Sequence, residues 1–282
     1  MLLEVMIIAG LSNSKHLAER IARKLNVDYD DLLLRDSGDG ELHVKFNSDV
    51  KGKKIALIQS LYPYPNHSLF EAMYAASAAR DLGAKEIIYV APYLAFFRED
   101  SRKSKGECVQ QNVVADLLSR NVDAVISVEP HLHQHNLPGK FSIHFYRLEC
   151  NEALRKYARD NFSGCKIVGF GERAWKLAKH VDKNAALYEK GNHGNVNEDK
   201  IEYGDNVLIV DDIIASGNSM MANIANLKCK KINVLAVHGL FNGDSFLRLK
   251  GIAERIVSCN TVRHESNKID VSGLIAGKLM EI

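Results

Sequence analysis

Runs of β-branched and aliphatic residues without alternation recur along the chain, each followed by a stretch whose apolar residues fall three or four apart. This rhythm predicts parallel strands buried on both faces and joined by helices. Val5 to Ala9 reads as a first strand, and Ser12 or Ser14 caps a helix with Leu17, Ile21 and Leu25 on one face. Leu42 to Phe46 alternates, with Asp39-Gly40 ahead of it as a turn pair. Ile55 to Ser60, Ile87 to Ala91 and Ala124 to Val128 are buried strands, separated by a helix from Asn66 carrying Ala72, Ala75, Ala76 and Ala79 and a helix over 110–118. The rhythm then starts again. Helices over 150–160, 172–181 and 244–252 alternate with strands Lys166 to Gly169, Ala185 to Tyr188, Val207 to Val210, Ile232 to His238 and Arg255 to Ser258. The repetition predicts two similar, doubly wound α/β halves, 1–146 and 147–282, with the last helix, 270–282, able to pack on the first half.

A chain of 282 residues suits two such domains. Lysine plus arginine (37) nearly balance aspartate plus glutamate (35), so no global field argues for nucleic acid or membrane and any anion site is local. Five dispersed cysteines without a Cys-x-x-Cys pair disfavour a disulfide framework or a zinc site. The start of the chain lacks a basic leader, and no apolar run approaches the roughly 18 residues of a membrane span. A cytoplasmic protein is expected.

The most informative stretch is 206–220. Its apolar strand, Val207 to Val210, stops at Asp211 and Asp212, placing two carboxylates at a strand's carboxyl end, where open α/β sheets bind ligands. Ala215, Ser216, Gly217, Asn218 and Ser219 then supply small side chains, hydroxyls, a permissive glycine and the opening of a helix containing Met220, Met221, Ile224 and Leu227. Free N–H groups there favour a phosphate. An isolated Asp-Asp would be read as a helix cap; the complete order reads as a sugar-phosphate cradle. The polar loop 189–199 before it could close over phosphates, with Lys190 as a point charge, although a solvated lysine is the commoner case. His131, His133 and His135 alternate without a thiol or acidic partner at zinc spacing, which leaves a nucleotide contact or one Mg²⁺ ligand. Taken alone, His133 and His135 read as structural or surface residues. Arg98, Arg102, Lys103 and Lys105 gather charge after a strand end, where Arg98 could reach an anion.

Together these segments resemble the ribose-phosphate diphosphokinase (PRPP synthase) family, in the short form typical of archaea, over nearly the whole chain. The 206–220 stretch is similar to its PRPP motif, with Asn218 where most relatives have glycine. The segment starting at Pro92 resembles Pro-Tyr-x-x-Tyr-Ala-Arg-Gln-Asp, which implies ATP contacts for Arg98 and Glu99. Asp39-Gly40-Glu41 resembles the adenine-binding Asp-Gly-Glu, which acts across a subunit contact. The run from Val128 through His131 resembles the turn that places its first histidine at the Mg²⁺-ATP site. Glu189-Lys190 resembles the catalytic-loop pair, making Lys190 catalytic. The resemblance also places ribose 5-phosphate on Asp211, Asp212 and residues 215–219.

The chain departs from the family at Ser37 (a phenylalanine in relatives), Glu99 (glutamine) and Asn192 (arginine). It also departs at Gly171, where an aspartate supplies a metal-site residue unless Glu172 replaces it. The resemblance implies a type I phosphoribosyltransferase-like fold in both halves, Mg²⁺ as cofactor, ATP and ribose 5-phosphate as substrates, and a homo-oligomer of at least dimers. The expected reaction is diphosphoryl transfer from Mg-ATP to the ribose 1-hydroxyl. The departures make an impaired paralogue, associated with an active synthase, the alternative. A phosphoribosyltransferase that consumes PRPP shares the cradle but not the two-half architecture.

Overall fold

The computed structural model describes residues 6–98, 101–102, 104–131, 140–188 and 204–282. The chain divides into two compact units, one of Met1–Glu149 with Ser272–Ile282 and the other of Cys150–Val271. Among the described residues no helix is long and apolar enough to cross a membrane.

Unit 1 is built on a parallel sheet of β1 (Met6–Gly10), β2 (Asp28–Asp31), β5 (Lys54–Ile58), β6 (Glu86–Ala91), β7 (Ala124–Val128) and β8 (His144–Leu148), in the order β2-β1-β5-β6-β7-β8. Every residue of β1, β5 and β7 is buried, which is why these strands lack alternation. Each fully buried Ile, Leu or Val in them contributes about 1.5–3 kcal/mol. The helices are α1 (Lys15–Leu25), α2 (Pro65–Asp81) and α3 (Gln110–Asn121). Ala72, Ala75, Ala76 and Ala79 of α2 are fully buried, as their small size suits. β3 (Leu33–Asp36) and β4 (Leu42–Lys45) form a separate antiparallel hairpin around the Asp39-Gly40 turn. The terminal α8 (Ser272–Glu281) lies against α1, and Lys54 Nζ donates to the Ile282 carbonyl at 2.8 Å.

Unit 2 repeats the design with β9 (Lys166–Phe170), β10 (Ala186–Tyr188), β11 (Asn206–Ile214), β12 (Lys231–Gly239), β13 (Arg255–Cys259) and β14 (Asn267–Ile269), in the order β10-β9-β11-β12-β13-β14. Its helices are α4 (Asn151–Asn161), α5 (Gly171–Val181), α6 (Asn218–Ile224) and α7 (Ser245–Lys250). In each unit the second strand pairs outside the first and the later strands extend the other way. The order therefore reverses between β1 and β5 in unit 1 and between β9 and β11 in unit 2, the doubly wound arrangement with its ligand crevice at the reversal.

Three expectations change. The strand predicted to stop at Val210 runs to Ile214, because Asp211, Ile213 and Ile214 keep their ladder partners Ala236, His238 and Gly239 on β12. The helix after the cradle ends at Ile224, leaving Leu227 outside it. Unit 1 extends to Glu149 because β8, absent from the sequence reading, adds to its sheet.

Candidate functional site

In unit 2 the ladder between β9 and β11 covers only Val207, Leu208 and Ile209, whereas β11 stays paired with β12 as far as Ile214. Asp211 and Asp212 thus stand where β11 has lost its β9 neighbour, at the reversal of strand order. On the β9 side the chain turns at once into α5. Gly171 has φ +82°, and a Cβ on Gly169 would come within 2.3 Å of the Trp175 backbone. Only glycine lets α5 start so close to its own strand.

That tight turn puts Arg173, in the first turn of α5, beside β11. Its Nε lies 2.7 Å from Asp212 Oδ2, and Asp212 is 8% exposed. The Asp212 backbone N–H donates to Asp211 Oδ1 at 2.8 Å. Burial, and then the neighbouring Asp212 charge, hold the Asp211 carboxyl well above the ordinary carboxylate range. The pair is therefore asymmetric. Arg173 compensates one carboxylate, and the other has its proton affinity raised.

The chain then passes through Ala215 and Ser216 to Gly217, whose φ of +67° caps α6 in the left-handed region. Ser216, Asn218 and Ser219 are exposed. Carbonyl groups of this turn are held from behind. The Ala215 carbonyl accepts from the Asn242 N–H (3.0 Å) and Ser245 Oγ (3.1 Å). Arg248 Nη2 donates to the Ser216 carbonyl and to Asn218 Oδ1, both at 3.2 Å, while its Nε pairs with Asp244 Oδ1 at 3.0 Å. Neither Arg173 nor Arg248 was singled out from sequence.

Glu172, weighed as a replacement metal ligand, is exposed and pairs with Lys176 at 2.7 Å. Its hydrogen bond to Lys176 and that cation's charge hold its carboxyl below the usual range.

Unit 1 carries the nucleotide-side candidates. Asp39 and Glu41 lie in the hairpin loop, closed by the Ser37 N–H to the Glu41 carbonyl (2.8 Å) and the Gly40 N–H to the Ser37 carbonyl (2.9 Å). Ser37 Oγ donates to Asp39 Oδ1, and this bond lowers the proton affinity of the exposed Asp39 carboxyl. Serine in place of an aromatic ring thus ties the loop to itself. Asp36 reaches His67 of α2 at 3.1 Å, fixing the hairpin's base. Arg98 is exposed directly after Phe97, which is fully buried. His131 follows β7 after Glu129, a buried acid at φ +37° that pairs with Arg147 of β8 at 3.0 Å. Lys190, Glu99, Lys103, His133, His135, Asn192 and the remainder of the loop 189–199 lie outside the described residues.

In unit 1 the equivalent reversal is closed. The β1–β5 ladder runs the full length from Met6–Lys54 to Gly10–Ile58. Beyond it Asn13 Nδ2 donates to the Ser60 carbonyl (3.2 Å) and Ser68 Oγ (2.7 Å), and Ser12 Oγ donates to Glu71 at 2.6 Å. Side chains following β1 are thus hydrogen-bonded to groups that follow β5.

Residues 6–121 match the model of the N-terminal domain of ribose phosphate pyrophosphokinase. The ribose-phosphate pyrophosphokinase of Mycoplasma genitalium is 32% identical over 257 residues, covering 85% of this chain and 76% of that protein. The Aquifex aeolicus enzyme of the same name is 31% identical, covering 92% and 87%. That of Methanopyrus kandleri is 28% identical over 96% of this chain and 97% of its own. The crystal structure of phosphoribosylpyrophosphate synthetase from Mycobacterium smegmatis superposes with a TM-score of 0.85 over 97% of both chains at 22% identity, a likeness of fold. Both units therefore have the type I phosphoribosyltransferase-like fold, and with identity above 30% extending over most of both chains, this chain belongs to the ribose-phosphate pyrophosphokinase family.

Proposed function

We propose that the protein is a ribose-phosphate diphosphokinase, transferring the diphosphoryl group of Mg-ATP to the 1-hydroxyl of ribose 5-phosphate to give PRPP and AMP. The observation that carries this reading is the unpaired β9 side of β11, where Asp211 and Asp212 stand at the reversal of strand order and lead directly into the 215–219 turn. Carboxylates in that position accept hydrogen bonds from adjacent sugar hydroxyls, and the turn takes the 5-phosphate. Arg173 orients Asp212 for this task.

In the reaction the ribose 1-hydroxyl oxygen attacks the β-phosphorus of ATP, the bond to the α–β bridging oxygen breaks, and AMP leaves carrying that oxygen. No covalent enzyme intermediate is required, so the protein contributes positioning and charge neutralisation. Asp39, Glu41, Arg98, Glu99 and His131 are assigned to ATP and Lys190 to the transferring group, on the family resemblance of their segments. Mg²⁺ fits the residues present. Asp211 is a half-buried carboxyl beside a second acid, so a cation there would relieve the repulsion between them, and His131 offers an imidazole at the end of β7. When bound, Mg²⁺ neutralises the ATP phosphates, which with water complete most of its coordination shell.

Tyr64, Phe70 and Tyr74 are 74%, 51% and 45% exposed on and beside α2, which supports a homo-oligomer built through unit 1. A cytoplasmic setting is consistent with the free thiols. The test is formation of AMP and PRPP from ATP and ribose 5-phosphate with Mg²⁺. Turnover is expected in the wild type, and no product above a Lys190→Ala control would remove the assignment.

A further inference from the structure

Asn218 occupies the position where most relatives of the motif carry glycine, a residue that brings no side-chain donor. We propose that in this chain the Asn218 carboxamide is an added phosphate-binding group, and that Arg248 is the positioning residue that orients it. The proposal rests on the reading of 215–219 as the ribose 5-phosphate turn.

The orientation follows from donor chemistry. A guanidinium only donates hydrogen bonds, so the carboxamide atom facing Arg248 Nη2 at 3.2 Å is Oδ1. The Nδ2 amino group is thereby turned away from Arg248, and it has no hydrogen-bond partner among the described residues. Two further contacts favour this placement of Arg248: Asp244 meets its Nε at 3.0 Å and the Ser216 carbonyl accepts from its Nη2 at 3.2 Å. The same contacts matter electrostatically. A turn that receives an anion is weakened by any acceptor oxygen beside it, and Arg248 engages two such oxygens, the Ser216 carbonyl and Asn218 Oδ1. One guanidinium thus masks the turn's acceptors and leaves an exposed amide donor at its mouth. Lysine would not do the same, since a single ammonium lacks the planar fork that reaches Asp244 and the turn together.

Titrations of the full-length protein with ribose 5-phosphate, and separately with Mg-ATP, test this. The variants are Asn218→Asp, Asn218→Gly, Arg248→Ala and the double Asn218→Gly/Arg248→Ala, each first shown by thermal unfolding to be folded. Asn218→Asp keeps the Arg248 contact but turns the donor into an acceptor, and a merely structural Asn218 would tolerate it. The expected result is a weakening of ribose 5-phosphate binding by about tenfold or more, the size of a hydrogen bond to a charged group, with Mg-ATP binding within about twofold of wild type. Arg248→Ala should weaken ribose 5-phosphate binding about threefold to tenfold alone. Its effect should be clearly smaller in the Asn218→Gly background, since the part acting through Asn218 is gone and only the masking of the Ser216 carbonyl remains. Ribose 5-phosphate binding unchanged in Asn218→Asp, or an equal cost of Arg248→Ala in both backgrounds, overturns the proposal while leaving the site in place. A wild-type protein that fails to bind ribose 5-phosphate removes the site reading itself and this proposal with it.

Discussion

Arg173 Nε and Asp212 Oδ2 stand 2.7 Å apart across the gap left where β9 and β11 cease to pair. The contact joins the first turn of α5 to the unpaired side of β11, so it fixes the spacing of the crevice as well as the orientation of one carboxylate. Asp212 is nearly buried and Arg173 about one-third exposed, so the pair lies between surface bridges, which contribute about 0–1 kcal/mol, and fully buried ones. Arg173→Met should lower stability by about 1–2 kcal/mol through the uncompensated Asp212. It should also raise the KM for ribose 5-phosphate about tenfold, with a smaller effect on the KM for ATP. Urea unfolding together with steady-state kinetics checks both. A loss of stability without any change in that KM would reduce Arg173 to a strut.

Asp211 predicts a conflict between stability and function. Its folded-state proton affinity is raised by burial and by Asp212. A carboxyl of this kind stabilises the fold only while protonated, so its contribution is complete below the ordinary carboxylate pKa and is lost as pH rises through the elevated one. At neutral pH an amide of the same shape lacks that penalty. Asp211→Asn should therefore raise the thermal midpoint at pH 7.5 while leaving it little changed near pH 4. The same change removes an acceptor for a sugar hydroxyl and should weaken ribose 5-phosphate binding by about tenfold or more. A midpoint that falls at both pH values would contradict the assignment of strain to this carboxyl.

Glu71 poses the same question in unit 1 away from the cradle. It is 2% exposed, accepts from Ser12 Oγ at 2.6 Å and from Gln59 Nε2, and burial outweighs these donors to raise its proton affinity. His67, 3.7 Å away, connects it to Asp36 at the base of the hairpin that carries Asp39 and Glu41. As for Asp211, the raised carboxyl makes its stabilising contribution below the ordinary pKa and loses it on going up through the raised one. The stability difference between Glu71→Gln and wild type should move in favour of the variant between pH 4.5 and 7.5. Denaturant titrations at the two pH values measure it, and a constant difference would show that Glu71 is as free to ionise when folded as when unfolded.

How much of this was legible in the sequence follows from where each residue sits. The central strands were readable because burial on both faces writes an unbroken apolar run, as in Ile55 to Ile58 and Val207 to Val210. The four strands that were missed, β2, β3, β8 and β14, are all at sheet edges, β3 in the two-stranded hairpin. There one flank is unpaired, so Asp28–Asp31 can be almost wholly acidic and Asn267–Ile269 can be three residues long. The Asp211-Asp212 pair is legible because acids interrupt an apolar run, but the continuation of its strand is not, because side-chain polarity does not mark the end of backbone pairing. β12 supplies ladder partners regardless of side chain. The arginines were not legible at all. Arg248 meets Asn218 from thirty residues away, and nothing in the local pattern of either helix marks the contact.

Arg147 is the remaining case of a residue hidden by its edge strand. It reaches from β8 to Glu129, 3.0 Å away, and Glu129 holds φ at +37°, a region in which an ordinary L-residue is uncommon. Glu129 and Pro130 form the turn that ends β7 and presents His131, so an ion pair between the buried Glu129 and the exposed Arg147 guanidinium secures a strained residue two positions before a proposed ATP-site imidazole. Arg147→Ala removes the guanidinium and should let that turn relax. The KM for ATP is then expected to rise about threefold to tenfold, with the KM for ribose 5-phosphate within about twofold of wild type, since the cradle belongs to the other unit. Arg147→Lys, which keeps the charge but not the planar donor fork, should recover part of the loss. Equal increases in both KM values would instead trace the effect to general destabilisation, and no change in either would separate the Glu129 turn from nucleotide binding altogether.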